Sequence, residues 1–249
     1  MQNSYDPKTR QSTSLFTYML HELARAYTPQ IKDALCIGLG MGIVPTALAR
    51  DGARVDVVDI NPAILPLAVK YFDFQPEKVS VHFGDGRYFV SRCRKRYDTI
   101  VLDAFLGDSS PSHLFTREAF GSMRNILHPG GTVVMNIFGA LCGEDEFFTA
   151  SLAKTLGAVF KNVRVHQAGG GNTFLVGSDL DPLTLRRRPD LTQVHPSVRQ
   201  GVEHGFAGTL PVNLARGIVL TDDYNPVEFY DARNRERLRR WLAIQMRRG

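Results

Sequence analysis

Apolar positions along this chain recur with two different periods. Between residues 14 and 27, Leu15, Tyr18, Met19, Leu23 and Ala26 return at helical spacing behind a Ser/Thr-rich stretch that suits a cap, so a helix is predicted there. From residue 34 the pattern becomes short apolar runs separated by helical stretches. Residues 34–37, 54–60, 79–83, 97–102 and 132–137 read as strands, and 43–51, 62–71, 86–94 and 116–127 as the helices between them. The last of these helices is expected to end at His128-Pro-Gly-Gly131. Strands of this apolar kind, each followed by a helix, belong in a parallel sheet covered on both faces. Beyond a helix over 144–156, two further strands, 163–167 and 172–177, are separated only by Ala-Gly-Gly-Gly, which predicts an antiparallel hairpin at the sheet edge.

Five parallel strands closed by a hairpin are the pattern of class I S-adenosylmethionine-dependent transferases. The predicted fold is therefore α/β and Rossmann-like, with a seven-stranded, mostly parallel sheet. Three parts are expected: an N-terminal segment with a helix (1–30), a Rossmann-like nucleoside-binding domain (31–178), and a C-terminal extension packing on that domain (179–249). The extension opens with a Pro-, Arg- and Asp-rich excursion carrying one short helix near 197–203. It closes with a helix over 231–247 that lines up Leu238, Trp241, Leu242 and Gln245.

Composition narrows the class. The 249 residues are 43% hydrophobic and 22% charged, without a biased tract, which excludes a disordered or fibrous chain. No apolar run reaches the length of a membrane span, and the first residues lack the apolar core of a secretory signal, so no membrane association and a cytoplasmic location are expected. The net charge of +5 invites a nucleic-acid reading, but residues 233–249 hold seven arginines and one glutamate, leaving −1 on all the rest. That tail and Arg186-Arg-Arg188 read as solvated faces without the interleaved aromatics a nucleic-acid surface needs. Cys36, Cys93 and Cys142 form neither a disulfide framework nor a metal pair, and the seven histidines show no ligand spacing, so no metal is expected.

The candidate chemistry lies at the strand ends. Gly38-Leu-Gly40-Met-Gly42 joins the first parallel strand to its helix; glycines there admit a sharp turn and close approach of a ligand to a helix N-terminus. The spacing departs from the dinucleotide fingerprint GxGxxG. Asp59, Asp85 and Asp103 follow the second, third and fourth strands, and the carboxyl ends of such strands share one crevice. Asp59 suits two ribose hydroxyls and Asp85 an adenine amino group. Asp103 is not needed by an adenosine; beside a sulfonium it would hold an amine and take its proton. The polar segment 104–113 reads as a lid or substrate loop over the same crevice.

Taken together, Gly38–Gly42, Val58-Asp59-Ile60, Gly84-Asp85-Gly86-Arg87, Tyr97–Asp103, Leu114-Phe-Thr-Arg-Glu-Ala-Phe120 and Leu127-His-Pro-Gly-Gly131 resemble the spermidine synthase (polyamine aminopropyltransferase) family. Asp103-Ala-Phe with its Gly-Asp-Ser loop, and Leu220-Thr-Asp-Asp-Tyr-Asn-Pro-Val-Glu228, are most similar to the spermidine synthase-like proteins also found fused to membrane transporters. The resemblance implies a site for S-adenosylmethionine or its decarboxylated form at Gly38, Gly40, Gly42, Asp59, Asp85 and Gly86, with Asp103 as the acid that accepts the proton of the attacking amine. It implies a small-molecule amine as acceptor, polyamine chemistry, and room for a homodimer. Tyr18 and His21 stand near the family's substrate-contacting Tyr-His-Glu segment, broken here into Tyr18-Met-Leu-His21-Glu22. Three departures are visible. Met41 stands where the synthases carry an acid; the family's second acid after Asp103 is displaced to Asp108; and the N-terminal β-domain has almost no counterpart. Asp222, Asp223 and Glu228 either supply acids to a cationic acceptor or anchor the C-terminal segment. The expected activity is aminopropyl transfer to an amine, with methyl transfer to a small molecule, or nucleoside binding without catalysis, as the alternatives.

Overall fold

Alternation within single strands sets the layers. In β3 (Asp33–Ile37), Ala34 and Cys36 face one side of the sheet while Leu35 and Ile37 face the other, and all four are buried. The computed structural model describes residues 3–104, 111–139, 141, 146–168, 171–230, 232 and 236. Asp108, Cys142, most of the segment 104–113 and nearly all of the helix expected over 231–247 lie outside the described residues.

Seven strands form the main sheet: β3, β4 (Arg54–Asp59), β5 (Ser80–Phe83), β6 (Tyr97–Leu102), β7 (Leu127–Phe138), β8 (Asn162–Gln167) and β9 (Asn172–Ser178). Their order is β5-β4-β3-β6-β7-β9-β8, with the first five parallel and β9 antiparallel to both neighbours. This is the class I, Rossmann-like arrangement expected from the sequence. Helices α1 (Leu15–Tyr27), α2 (Ile43–Arg50) and α7 (Pro196–Phe206) cover one face through Met19, Leu23, Leu48 and Val202. Helices α4 (Gly86–Arg92), α5 (Arg117–Asn125) and α6 (Glu146–Gly157) cover the other through Val90, Phe120 and Phe148. Helix α3 (Ile64–Phe72) lies between β4 and β5 in the chain. The chain winds outward from β3 in both directions, so the reversal falls between β3 and β6, where ligands of such sheets bind beyond the carboxyl ends.

Two segments depart from the sequence pattern. β7 begins at Leu127, inside what reads as the end of a helix, because Leu127 pairs with Tyr97. The pairing then resumes at Thr99 with Thr132, so residues 128–131, with Gly130 at φ +79°, bulge opposite Asp98. Near the N-terminus, β1 (Tyr5–Asp6) and β2 (Gln11–Ser12) form a short antiparallel ribbon that the sequence does not announce. It is tied to the end of α3: Tyr5 Oη and Arg10 Nε both donate to Asp73 Oδ2 at 2.7 Å, and the Tyr5 ring meets Phe72 edge-on.

After β9 the chain returns across the α1 face, burying Leu183, Val194 and Phe206. It then crosses to the α5/α6 face, where Leu220 and Val227 are buried. Residues 217–230 form a strap held by Arg117 N–H to the Leu220 carbonyl (2.8 Å) and by stacking of Phe147 on Tyr230.

Candidate functional site

Beyond the carboxyl ends of the parallel strands lies a cavity of about 360 Å³, a size suited to a small-molecule ligand. It is lined by Gly38 and Gly40 after β3, Asp59, Ile60 and Asn61 after β4, Asp85 and Gly86 after β5, Asp103 and Ala104 after β6, and Asn136 and Phe138 at the end of β7. Gly38 shows why this turn must be glycine. Its φ is +99°, and a Cβ there would stand 2.3 Å from the Asp103 carbonyl oxygen.

Asp59 is fixed by the turns it closes. Oδ2 accepts Leu39 N–H at 2.7 Å and Oδ1 accepts Asn61 N–H at 2.8 Å, which ties the glycine turn to the end of β4. Each oxygen keeps a lone pair for a further donor. Asp85 caps α4, its Oδ1 accepting Tyr88 N–H at 2.8 Å, and its Oδ2 lies 2.8 Å from His113 Nε2. Asp103 is buried, and its carboxyl is pushed up to about 6 by desolvation, a rise moderated by the Asn136 amide, which donates to Oδ1 at 3.4 Å. Asn136 Oδ1 is itself buried and has no hydrogen-bond partner among the described residues, and the same holds for Asn3 Oδ1, which the ribbon brings to the cavity.

The cavity thus collects Gly38, Gly40, Asp59, Asp85, Gly86 and Asp103. Gly42 stands apart: its φ of +76° opens α2, and a Cβ would strike the Phe74 ring at 2.3 Å, so its role is packing. Tyr18 does not line the cavity; its hydroxyl donates to the Ser12 carbonyl at 2.7 Å. His21 is buried with Asp51 (Nε2 to Oδ2, 2.8 Å) and Glu22, joined by Arg25. Asp51 follows α2 just before β4 begins, at the amino ends of the strands and therefore at the opposite end of the sheet from the cavity. Burial alone would lower the His21 pKa, but its two carboxylate partners raise it. Asp223 is exposed and outside the lining, whereas Asp222 pairs with Arg87 in a two-pronged contact (2.9 and 2.5 Å), and Glu228 accepts from Ser112 Oγ at 2.7 Å. Asp222 and Glu228 thus anchor the strap. Among the described residues no group of three or more His, Cys, Asp or Glu side chains could hold a metal ion.

His113, Asn136, Asn3 and Phe16 line the cavity without having been singled out from the sequence. Asn136 had a signal, a polar residue at the carboxyl end of an apolar strand. His113 closes the segment 104–113 that reads as a lid or substrate loop, so its loop had a signal although the residue itself was not picked out.

Residues 14–168 match the family described as the spermine/spermidine synthase domain. The chain belongs to this family. A polyamine aminopropyltransferase of Vibrio vulnificus is 34% identical over 167 residues, 64% of this chain and 55% of the relative. An N-terminal histidine N-methyltransferase of Emericella nidulans is 35% identical over 138 residues, 53% of this chain and 24% of the relative. The chain therefore spans about half the length of the first and a quarter of the second. Among solved structures, a spermidine synthase from Thermotoga maritima aligns with TM-score 0.61 at 18% identity, covering 81% of this chain and 73% of that one. Human methyltransferase-like protein 13 in complex with SAH aligns with TM-score 0.55 at 22% identity, covering 80% and 93%. These two likenesses bear on the fold. Among the described residues of this member of the spermine/spermidine synthase family, no helix is long and apolar enough to cross a membrane.

Proposed function

We propose that this protein transfers an alkyl group from an S-adenosylmethionine-type sulfonium donor to a small amine, with the aminopropyl group of the decarboxylated donor as the favoured cargo. The observation that carries this reading is Asp103, a buried carboxyl with its pKa near 6 at the end of the central strand pair, in the same cavity as Asp59 and Asp85. An amine attacks only when neutral; as its C–N bond forms and the C–S bond to the departing thioether breaks, the nitrogen becomes cationic, and the Asp103 carboxylate accepts the proton that it sheds. Positioning supplies the rest, because a nucleophile held in line needs little further help.

The residues present fit such a donor. Asp59 offers two lone pairs to ribose hydroxyls, Asp85 one to an exocyclic amine, and the cleared space at Gly38 admits the nucleoside against the turn. When bound, the donor supplies an electrophilic carbon next to its sulfonium. Asn136 steadies Asp103 through Oδ1 and offers its own unpartnered oxygen as a second acceptor for the amine.

Methyl transfer in the same cavity is the second reading, favoured by Met41 at the position of the synthases' acid and by the similarity to a histidine N-methyltransferase. Incubation of the protein with either donor and a panel of amines, with product detection by mass spectrometry, decides between them. Methylthioadenosine marks aminopropyl transfer and S-adenosylhomocysteine methyl transfer; binding without either product rejects both.

A further inference from the structure

The two oxygens of Asp85 are shared out before any ligand arrives. Oδ1 is taken by the α4 cap, and Oδ2 faces His113 Nε2 at 2.8 Å. An ionised carboxylate only accepts, so Nε2 carries the hydrogen and Oδ2 retains one lone pair. The imidazole is held in place from behind. Arg87 Nη1 donates to the His113 carbonyl at 2.7 Å while gripping Asp222. Ser112 is fastened on both sides, its hydroxyl donating to Glu228 and its carbonyl accepting from Asn225 Nδ2 at 2.7 Å. Asp222, Asn225 and Glu228 belong to the strap, which lies outside the 14–168 family match.

We propose that His113 is a specificity-determining positioning residue: by holding Asp85 Oδ2 from the strap side it aims the remaining lone pair into the cavity, so that the site selects 6-amino over 6-oxo purine nucleosides. The proposal rests on the nucleoside reading given above. A carboxylate anchored through both oxygens cannot swing away from a 6-oxo group, so the repulsion between two acceptors is felt in full. Without His113 the carboxylate is anchored through Oδ1 alone, Oδ2 turns or takes up water, and the penalty on the wrong base is relieved.

Calorimetry with methylthioadenosine and its 6-oxo counterpart, methylthioinosine, tests this. The wild type is expected to prefer the 6-amino ligand by about 100-fold, His113→Leu by about 10-fold or less, and His113→Gln, whose amide N–H replaces Nε2, by close to the wild-type ratio. His113→Asn, whose amide is too short to reach Asp85, provides a second variant without a donor at Oδ2 if the leucine protein does not fold. An unchanged ratio in the Leu or the Asn protein, or equal losses in the Gln and Leu proteins, overturns the proposal. If the wild type binds neither nucleoside, the nucleoside reading itself fails first and the proposal falls with it.

Discussion

The Asn136 amide nitrogen lies 3.4 Å from Asp103 Oδ1 and is the group that offsets part of the burial cost of that carboxylate. The rate is therefore expected to rise with pH through about 6 as Asp103 ionises. Asn136→Leu, which removes the offset, should move this limb to higher pH. Asp103→Asn should lower turnover by about 10²–10⁴-fold while nucleoside affinity is largely kept. A pH–rate profile of the three proteins is the check. An Asn136→Leu limb at the wild-type position would separate Asn136 from the base.

Stability should carry the mark of the same group. A folded-state pKa near 6 against 3.8 in the unfolded chain means that the folded protein binds the extra proton between those values, so this group makes stability fall as pH rises across that window. Asp103→Asn removes the fall. Relative to wild type, the variant should gain about 2 kcal/mol between pH 4 and 7, read from denaturant midpoints at the two pH values.

His21 predicts a slope of the same sign in a higher pH window. Its raised pKa means that pairing with Asp51 and Glu22 contributes stability that is fully present below about pH 6.5 and lost as pH climbs through the folded value. At the acid end, the lowered pKa values of Asp51 and Glu22 keep the pairing until pH falls below their usual carboxylate range. His21→Leu should thus cost roughly 1–3 kcal/mol near pH 5.5 and less at pH 8, with nucleoside affinity unchanged. Thermal melts across pH test the first part, and calorimetry the second.

Gly38→Ala should cost more than 2 kcal/mol, since the methyl group meets the Asp103 carbonyl and φ is unfavourable. Gly42→Ala should be comparably destabilising through Phe74. Their separation comes from ligand protection: methylthioadenosine should raise the melting temperature of the Gly42 variant but not of the Gly38 variant.

The sheet was readable because β3, β4, β6 and β7 are apolar on both faces, a signal that length and flanking glycines turn into strands. The start of β7 was not, because Pro129-Gly-Gly131 reads locally as a helix stop, and only the partner Tyr97 makes it a bulge. Asp59, Asp85 and Asp103 were legible from their place at strand ends. Tyr18 turns to the Ser12 carbonyl and His21 to Asp51 at the far end of the sheet, since proximity along α1 does not say which way a side chain faces. The segment ending at His113 was legible as a loop over the crevice, but the anchoring of its end by the strap, and the placing of Asn3 by the ribbon, are contacts between residues far apart in sequence that no local pattern encodes.

Consider finally β9. It is the middle strand of the terminal trio, pairing with β7 on one side and β8 on the other, yet it is translated after both. As the chain leaves the ribosome, β8 has no neighbour until β9 follows it, and the apolar cluster of α5 and α6 stays uncovered until Leu220 and Val227 emerge. Closure of this domain is therefore a late event in synthesis, and a fragment ending at residue 168 would expose the open edge of β7 as a template for pairing with other chains.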